Sequence, residues 1–134
     1  MEDKILNVDM QIKVTGEDVD DIMATALEGG INYWCWKAEV VGGYLGKYAS
    51  EQISRGGELK LYDSDEMKIY TLNRDKFLSG LKRYIAFGNT ACLFRETDTI
   101  GIYTGEISLN ACMLDASAAD MIIQYALFGD VIFG

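Results

Sequence analysis

Three stretches of the chain place apolar residues at the spacing of an amphipathic helix. Each begins at a residue that caps helices well, namely Thr15, Asn73 or Asp115. Each is followed by a glycine at which a helix can end. The first stretch shows the i, i+3, i+4, i+7, i+8 pattern most clearly, with the stripe Val19, Ile22, Met23, Ala26 and Leu27. The sequence therefore predicts three helices, each with one apolar face.

Other segments alternate in the way that strands do. From Leu6 to Val14 every second residue is apolar, which predicts a strand with one buried face. Residues 31–41 predict a second strand, with Trp34, Trp36, Ala38 and Val40 on one face. Residues 59–72 predict a hairpin that turns at Asp63–Glu66. Shorter strands are expected at residues 100–103, 106–109 and 131–133.

These elements favour a single α+β domain over residues 1–134. We expect an antiparallel or mixed sheet of about four to six strands, with three helices mainly on one face. At 134 residues and 49% hydrophobic composition, the chain is long enough and apolar enough to bury a core.

Charge is distributed unevenly along the chain. The formal net charge is -9, from 21 acidic and 12 basic residues. Residues 1–30 and 96–134 each sum to -6, whereas residues 31–95 sum to +3. Since nucleic-acid binding requires Lys and Arg to neutralise phosphates, direct contact with nucleic acid is not expected. An acidic surface is instead suited to a basic protein partner, although the same charges could simply be solvated.

Several classes of protein and site are excluded or disfavoured by composition. The absence of histidine removes Ser-His-Asp and Cys-His catalysis and histidine-ligated zinc. The three cysteines Cys35, Cys92 and Cys112 lie far apart and fit reduced thiols rather than a metal site. No apolar run reaches the roughly 18 residues of a membrane span. No signal peptide is evident, so we expect a cytoplasmic protein with no metal, no cofactor and no membrane contact.

The candidate binding residues fall into an acidic set and an aromatic set. Charged residues dominate the exposed side of the first predicted helix, and aromatic residues cluster within the sixteen residues from Tyr33 to Tyr48. Exposed Tyr and Trp often supply the packed centre of protein interfaces. The residues predicted to bind a partner are Glu17, Asp18, Asp20, Asp21, Glu28, Tyr33, Trp36, Tyr44 and Tyr48.

A glycine-rich loop offers a different interpretation. Residues 42–47 read Gly-Gly-Tyr-Leu-Gly-Lys, next to tyrosines that could stack on a ring. The segment lacks the Ser or Thr that follows the lysine of a phosphate-binding loop, because Tyr48 stands there. A nucleotide-binding or sequestering protein therefore remains an alternative, with turn formation as the simpler role for these glycines.

Three segments carry a resemblance to known sequences. They are residues 26–35 (ALEGGINYWC), residues 48–57 (YASEQISRGG) and residues 122–129 (IIQYALFG). The chain resembles small acidic proteins of unassigned function that are encoded by phages and mobile elements of gut Firmicutes. The resemblance implies an accessory gene that acts inside a bacterial host. Proteins of this kind often inhibit host defence, and anti-CRISPR proteins are among them.

The leading hypothesis is a non-enzymatic inhibitor. It would bind a basic, nucleic-acid-handling protein of the host, such as a CRISPR effector, through the acidic helix and the nearby aromatic residues. The sequence contains no group of residues that we predict to form an acid–base or nucleophilic site. Nucleotide binding and self-assembly into a structural protein are the alternatives, and a homodimer is kept open.

Overall fold

The computed structural model describes residues 1–97, 100 and 103–134 of the chain. Within them, three α-helices form close to where the sequence predicts them. They are α1 (Gly16–Thr25), α2 (Arg74–Ala86) and α3 (Ala116–Phe128). None of the helices in this described part of the chain combines the length and the apolar character that crossing a membrane requires.

The helix ends follow the predicted chemistry. The side chains of Thr15, Asn73 and Asp115 each accept a hydrogen bond from a backbone N–H three residues further on, which confirms all three N-caps. Helix α3 stops at Gly129, which adopts a left-handed conformation with φ of 72°. Helix α1 instead continues into one π-helical turn over Ala26–Gly30.

The strands confirm the α+β class and divide between two sheets of three strands. One sheet has the order β1-β6-β5 and is mixed, because β1 and β6 run parallel. The other has the order β2-β3-β4 and is antiparallel, with β3 and β4 as the predicted hairpin. The strands are β1 (Ile12–Lys13), β2 (Cys35–Val40), β3 (Leu59–Asp63), β4 (Ile69–Leu72), β5 (Leu93–Thr97) and β6 (Tyr103–Leu109).

Two predicted strands are wrong, and part of a third lies outside the described residues. The strand expected from Leu6 to Val14 is reduced to β1, and Leu6 is 85% exposed. A strand forms only where a neighbouring strand can pair with its backbone, and the alternation of apolar residues does not provide such a neighbour. Residues 131–133 form no strand, because the amides of Ile132 and Phe133 bond to the side chain of Gln124 in α3 and the amide of Val131 bonds to Asp130. Of the strand expected at residues 100–103, positions 101 and 102 are not among those described.

The core lies between the helices and the inner face of the β2-β3-β4 sheet. Leu59, Leu61 and Leu72 are fully buried there. Helices α2 and α3 pack closely against each other, and the closest approach is at Gly80. A Cβ atom at this position would lie 2.5 Å from the carbonyl oxygen of Ile122, so only glycine permits the contact.

Candidate partner-binding surface

The exposed side of α1 carries an uncompensated stripe of carboxylates. Glu17, Asp21 and Glu28 are exposed; the first two stand at i and i+4 in α1, and Glu28 lies in the π-helical turn that continues the helix. We call these three residues the acidic face of α1. Within the described residues, none of them takes part in the five salt bridges that form.

The three charges have opposing effects on helix stability, since Glu17 lies in the first turn, where the helix dipole favours a carboxylate. Like charges at i and i+4, such as Glu17 and Asp21, repel by a few tenths of a kcal/mol, about 0.2–0.5. Glu28 lies near the C-terminal end of α1, where the helix dipole disfavours a negative charge, and no basic residue occupies the last turn. Contacts within the described residues therefore explain no stabilising role for Asp21 or Glu28.

The other two predicted carboxylates of α1 have structural partners. Asp18 completes a capping box with Thr15, whose amide donates to Asp18 Oδ2 at 2.9 Å. Asp20 accepts a hydrogen bond of 2.5 Å from the hydroxyl of Ser54, which lies 34 positions later in the chain. Asp20 thus ties α1 to the segment that contains the glycine-rich loop, and Asp18 stabilises the helix itself.

The segment from residue 41 to residue 57, called the 41–57 loop below, is organised around one glutamine. Gln52 is almost fully buried, with 1% exposure. Its side-chain oxygen accepts from the amide of Leu45 at 3.1 Å, and its nitrogen donates to the carbonyl of Gly43 at 3.2 Å. A single side chain therefore fixes the path of the glycine-rich stretch from within.

A second side chain completes this arrangement. One carboxylate oxygen of Glu51 accepts hydrogen bonds of 3.0 Å from the amides of both Lys47 and Tyr48, and the other binds Arg55 at 3.0 Å. The bond from the Tyr48 amide, with help from Arg55, lowers the pKa of Glu51. The amides that could have cradled a phosphate are thus occupied by a carboxylate of the chain, which disfavours the phosphate-loop interpretation.

The 41–57 loop displays three apolar side chains on this rigid frame. Tyr44, Leu45 and Tyr48 are 63%, 50% and 58% exposed, respectively. The 3₁₀ turn Ala49–Glu51, directly after Tyr48, packs against α1. The loop therefore lies beside the helix that bears the acidic face. Because the backbone that carries these side chains is already ordered, binding through them would lose little conformational entropy.

Trp36 was predicted to share a face with Trp34, and this is wrong. A β-bulge in β2 pairs Cys35 with Asp63 but Lys37 with Tyr62, so Trp36 is an extra residue in the strand. Trp34 is buried, whereas Trp36 is 55% exposed. The structure places Trp36 beside the ring of Tyr62, at 5.6 Å between centroids, and not in the 41–57 loop.

Tyr33 belongs to a polar network under α3. Its ring is 55% exposed, but its hydroxyl end is enclosed and donates to Asp120 Oδ2 at 2.6 Å. The side-chain nitrogens of Trp34 and Gln124 donate to the other oxygen of Asp120 at 2.8 and 2.9 Å. Partial burial and the bond to Asp120 raise the pKa of Tyr33 to about 12. Tyr33 therefore stabilises the fold as well as offering a ring to solvent.

Gln124 extends this network to the last residues of the chain. It is fully buried, and its side-chain oxygen accepts from the amides of Ile132 and Phe133, both at 2.8 Å. The ring of Phe133 consequently stacks on Trp34, with 4.9 Å between centroids. Sequence reasoning missed the roles of Gln52, Gln124 and Asp120. The only signal for Asp120 and Gln124 was a polar pair at i and i+4 inside an apolar helix.

Two of the three cysteine thiols, those of Cys35 and Cys92, are buried. Burial raises the pKa of the thiols of Cys35 and Cys92, which makes both poor nucleophiles at neutral pH. The described part of the chain contains no group of three or more His, Cys, Asp or Glu residues that could hold a metal ion. Of the residues predicted to bind a partner, Glu17, Asp21, Glu28, Tyr33, Trp36, Tyr44 and Tyr48 are exposed.

Comparison with known proteins adds no assignment to this surface. No protein-family model, no curated protein and no solved structure matches the chain.

Proposed function

We propose that this protein is a non-enzymatic binding module that engages a Lys- and Arg-rich surface of another protein. The acidic face of α1 would meet the basic groups, and the 41–57 loop beside it would supply the packed centre of the interface. The observation that carries the proposal is the stripe formed by Glu17, Asp21 and Glu28. This stripe has no cation partner among the described residues, and it belongs to the helix against which the turn that follows Tyr48 packs.

The two parts of the surface would contribute differently to binding. Complementary charge accelerates encounter and selects the partner, and its effect weakens as salt is added. Aromatic side chains held in place contribute most of the affinity in many interfaces. Tyr44 and Tyr48 fit this second role, because the bonds of Gln52 and Glu51 fix the backbone that carries them.

The class of partner that fits best is a nucleic-acid-handling protein of a bacterial host, with the module acting in the host cytoplasm as an inhibitor. Such proteins expose basic grooves for phosphates. The acidic face would compete for a groove without reproducing DNA. Three carboxylates spread over eleven residues span about 16 Å of helix, whereas DNA carries a charge about every 1.7 Å. The resemblance to accessory proteins of phages and mobile elements favours the same class of partner.

The proposal is tested by retention of host proteins on the immobilised full-length chain, from a nuclease-treated lysate at low and at high salt. The test variant is the double charge reversal Glu17→Lys with Asp21→Lys. Its matched control is Asp65→Lys with Asp130→Lys, two exposed acids outside α1 and the 41–57 loop. Both double variants change the net charge by the same amount.

We expect a basic protein to be retained stoichiometrically at low salt by the wild type and by the control, and to be lost from the α1 variant. Equal loss from both variants would show that only overall charge matters and would overturn the assignment to α1. Retention that high salt and both variants leave unchanged would overturn the charge-driven mode altogether.

The tyrosines are tested with the partner so identified. Tyr44→Ala with Tyr48→Ala should weaken binding at least about tenfold, as the loss of interface anchors does. Tyr70→Phe serves as the control for a general effect of removing tyrosine chemistry, because Tyr70 packs against Phe128 away from the 41–57 loop. Unchanged affinity of the Tyr44/Tyr48 variant would remove the loop from the interface.

A further inference from the structure

The segment before α1 exposes more apolar surface than any role within one copy of the chain explains. Ile5, Leu6, Val8 and Met10 are 91%, 85%, 76% and 43% exposed. The alternation from Leu6 to Ile12 is that of a strand with one apolar face, yet residues 1–11 form no strand. Apolar side chains concentrated in this way indicate a surface that another molecule covers.

The same segment continues an open sheet edge. β1 lies at the edge of the β1-β6-β5 sheet and pairs with β6 only through Ile12 and Lys13. Its other side faces no strand among the described residues. An open edge of this kind is a template for pairing with another strand.

An apolar groove runs beside this edge. It has a volume of about 550 Å³ and lies between the segment and α2. Val8, Met10 and Ile12 line one side of it, and Leu78, Leu81 and Ile85 line the other. Leu78 is 39% exposed although it belongs to the apolar stripe of α2. A strand laid along the segment would have its apolar side chains directed toward this groove.

We infer that the occupant is a second copy of this chain, whose residues 3–13 pair antiparallel with the same residues across a twofold axis at Val8. In this register Val8 faces Val8 and Leu6 faces Met10, so the face is apolar across residues 6–10, and Lys4 faces Ile12 at each end of it. Asp3 of each copy faces Lys13 of the other, so a second carboxylate joins the ion pair of 3.5 Å that Lys13 forms with Glu106 of its own chain, once at each end of the paired segment. The two three-stranded sheets would be joined across the axis.

Charge selects this register over its neighbours. An axis at residue 9 would place Asp9 against Asp9, and an axis at residue 7 would separate Asp3 from Lys13. Parallel pairing in register would place each charged residue beside the identical residue of the other copy. A two-stranded ribbon is only marginally stable by itself. Here the adjoining sheet and the apolar groove would provide the additional packing that it needs.

The first experiment is the molar mass of the full-length chain, measured by analytical ultracentrifugation over a wide range of concentrations. We expect a reversible dimer, and we expect Val8→Lys to be monomeric because it sets two ammonium groups together at the axis. Far-UV circular dichroism of this variant should match that of the wild type diluted to its monomer, since Val8 is outside the core. A wild type that stays monomeric throughout overturns the inference.

The second experiment is a charge-swap cycle that tests the register. Asp3→Lys should weaken the dimer about tenfold or more, because two attractive pairs become repulsive. Adding Lys13→Asp to it should recover a clear part of the lost affinity, but not all of it, because an aspartate at position 13 would lie beside Glu106. Asp9→Lys is the matched control: it makes the same charge change in the same segment, but opposite Asn7, and should leave the dimer nearly unchanged.

Each other outcome of the cycle contradicts the proposed pairing. Equal effects of Asp3→Lys and Asp9→Lys would reduce the contact to general electrostatics, and a double variant as weak as the single one would exclude the Asp3–Lys13 pair. The result is independent of the proposed partner surface, because the cycle leaves the acidic face of α1 and the 41–57 loop unaltered.

Discussion

The 41–57 loop and residues 1–11 both present apolar side chains to solvent, and they are held in opposite ways. The loop turns sharply at several glycines, yet Gln52 and Glu51 bond to its backbone at three amides and one carbonyl. Residues 1–11 have the stronger pattern of regular structure, but no buried side chain bonds to their backbone in the described structure. Order in these segments therefore depends on an internal bonding partner more than on local pattern.

The difference indicates two different uses of exposed apolar surface. A segment that is already ordered can bind a partner with little further loss of entropy. A segment with unpaired backbone groups gains most from becoming a strand, which requires another strand beside it. The first arrangement, in which a buried glutamine bonds to the backbone of an irregular segment, occurs twice in this protein. Gln124 fixes the residues after α3 as Gln52 fixes the 41–57 loop.

Removing Gln124 should have the largest effect. Gln124→Ala leaves the amides of Ile132 and Phe133 without their buried acceptor and removes one of the three side-chain donors to Asp120, so we expect the free energy of unfolding to fall by about 3 kcal/mol. Urea denaturation at neutral pH measures it. Gln11→Ala, the same change at an exposed position of residues 1–11, is the control and should change it by less than about 0.5 kcal/mol. A loss below 1 kcal/mol for Gln124→Ala would contradict the anchoring role assigned to it.

The next largest effect is expected from Gln52→Ala. It should lower the free energy of unfolding by about 2 kcal/mol, because the bonds of Gln52 reach a more exposed backbone. Gly57→Ala should act through the same side chain, since a Cβ there would lie 2.6 Å from the Gln52 amide nitrogen. The control is Gly43→Ala, whose Cβ would meet nothing within 4 Å. Hydrogen exchange at the Leu45 amide should accelerate in Gln52→Ala. Unchanged protection there would show that another contact holds the loop.

A smaller effect is expected from ionising Tyr33. The unfolded chain releases this proton near pH 10.0, whereas the folded protein keeps it until about pH 12. The stabilisation is therefore fully present below pH 10 and is lost as the pH rises through about 12. The stability of the wild type should fall more steeply across this window than that of Tyr33→Phe. Parallel curves from urea titrations at each pH would contradict the assignment.

The smallest effect on folding is expected in residues 1–11. Leu6→Ser removes an apolar side chain that is 85% exposed and should change the free energy of unfolding of the dilute monomer by less than about 0.5 kcal/mol. Leu61→Ser is the contrasting variant, because Leu61 is fully buried. Substantial destabilisation by Leu6→Ser in dilute solution would mean that the segment packs on its own chain, and the comparison with the loop would fail.

The helices could be predicted from sequence because their signals are local. A cap at Thr15, Asn73 or Asp115 and an apolar stripe after it depend only on residues a few positions apart. The β3–β4 hairpin is local for the same reason. The division of six strands between two sheets depends on contacts between distant residues, and β5 was not foreseen. Strand pairing along Leu6–Val14 failed because alternation specifies a face but not a neighbour.

The candidate surface was foreseen only in part. Acidic residues on the polar side of an amphipathic helix are expected to be exposed, and Glu17, Asp21 and Glu28 are. The internal roles of Asp20 and Tyr33 depend on partners 34 and 87 positions away. Gln52 and Gln124 follow no periodicity and resemble ordinary surface residues in sequence. Their burial is decided by the segments that fold over them.

The bulge in β2 gives the protein two separate optical reporters. Trp34 is sealed between Phe133 and Asp120, whereas Trp36 stands in solvent, although one residue separates them in sequence. A soluble quencher should therefore extinguish the fluorescence of Trp36 and spare that of Trp34. In Trp36→Phe the remaining emission comes from Trp34, which residues 130–134 cover. Detachment of these residues from Trp34 can therefore be followed without any added label.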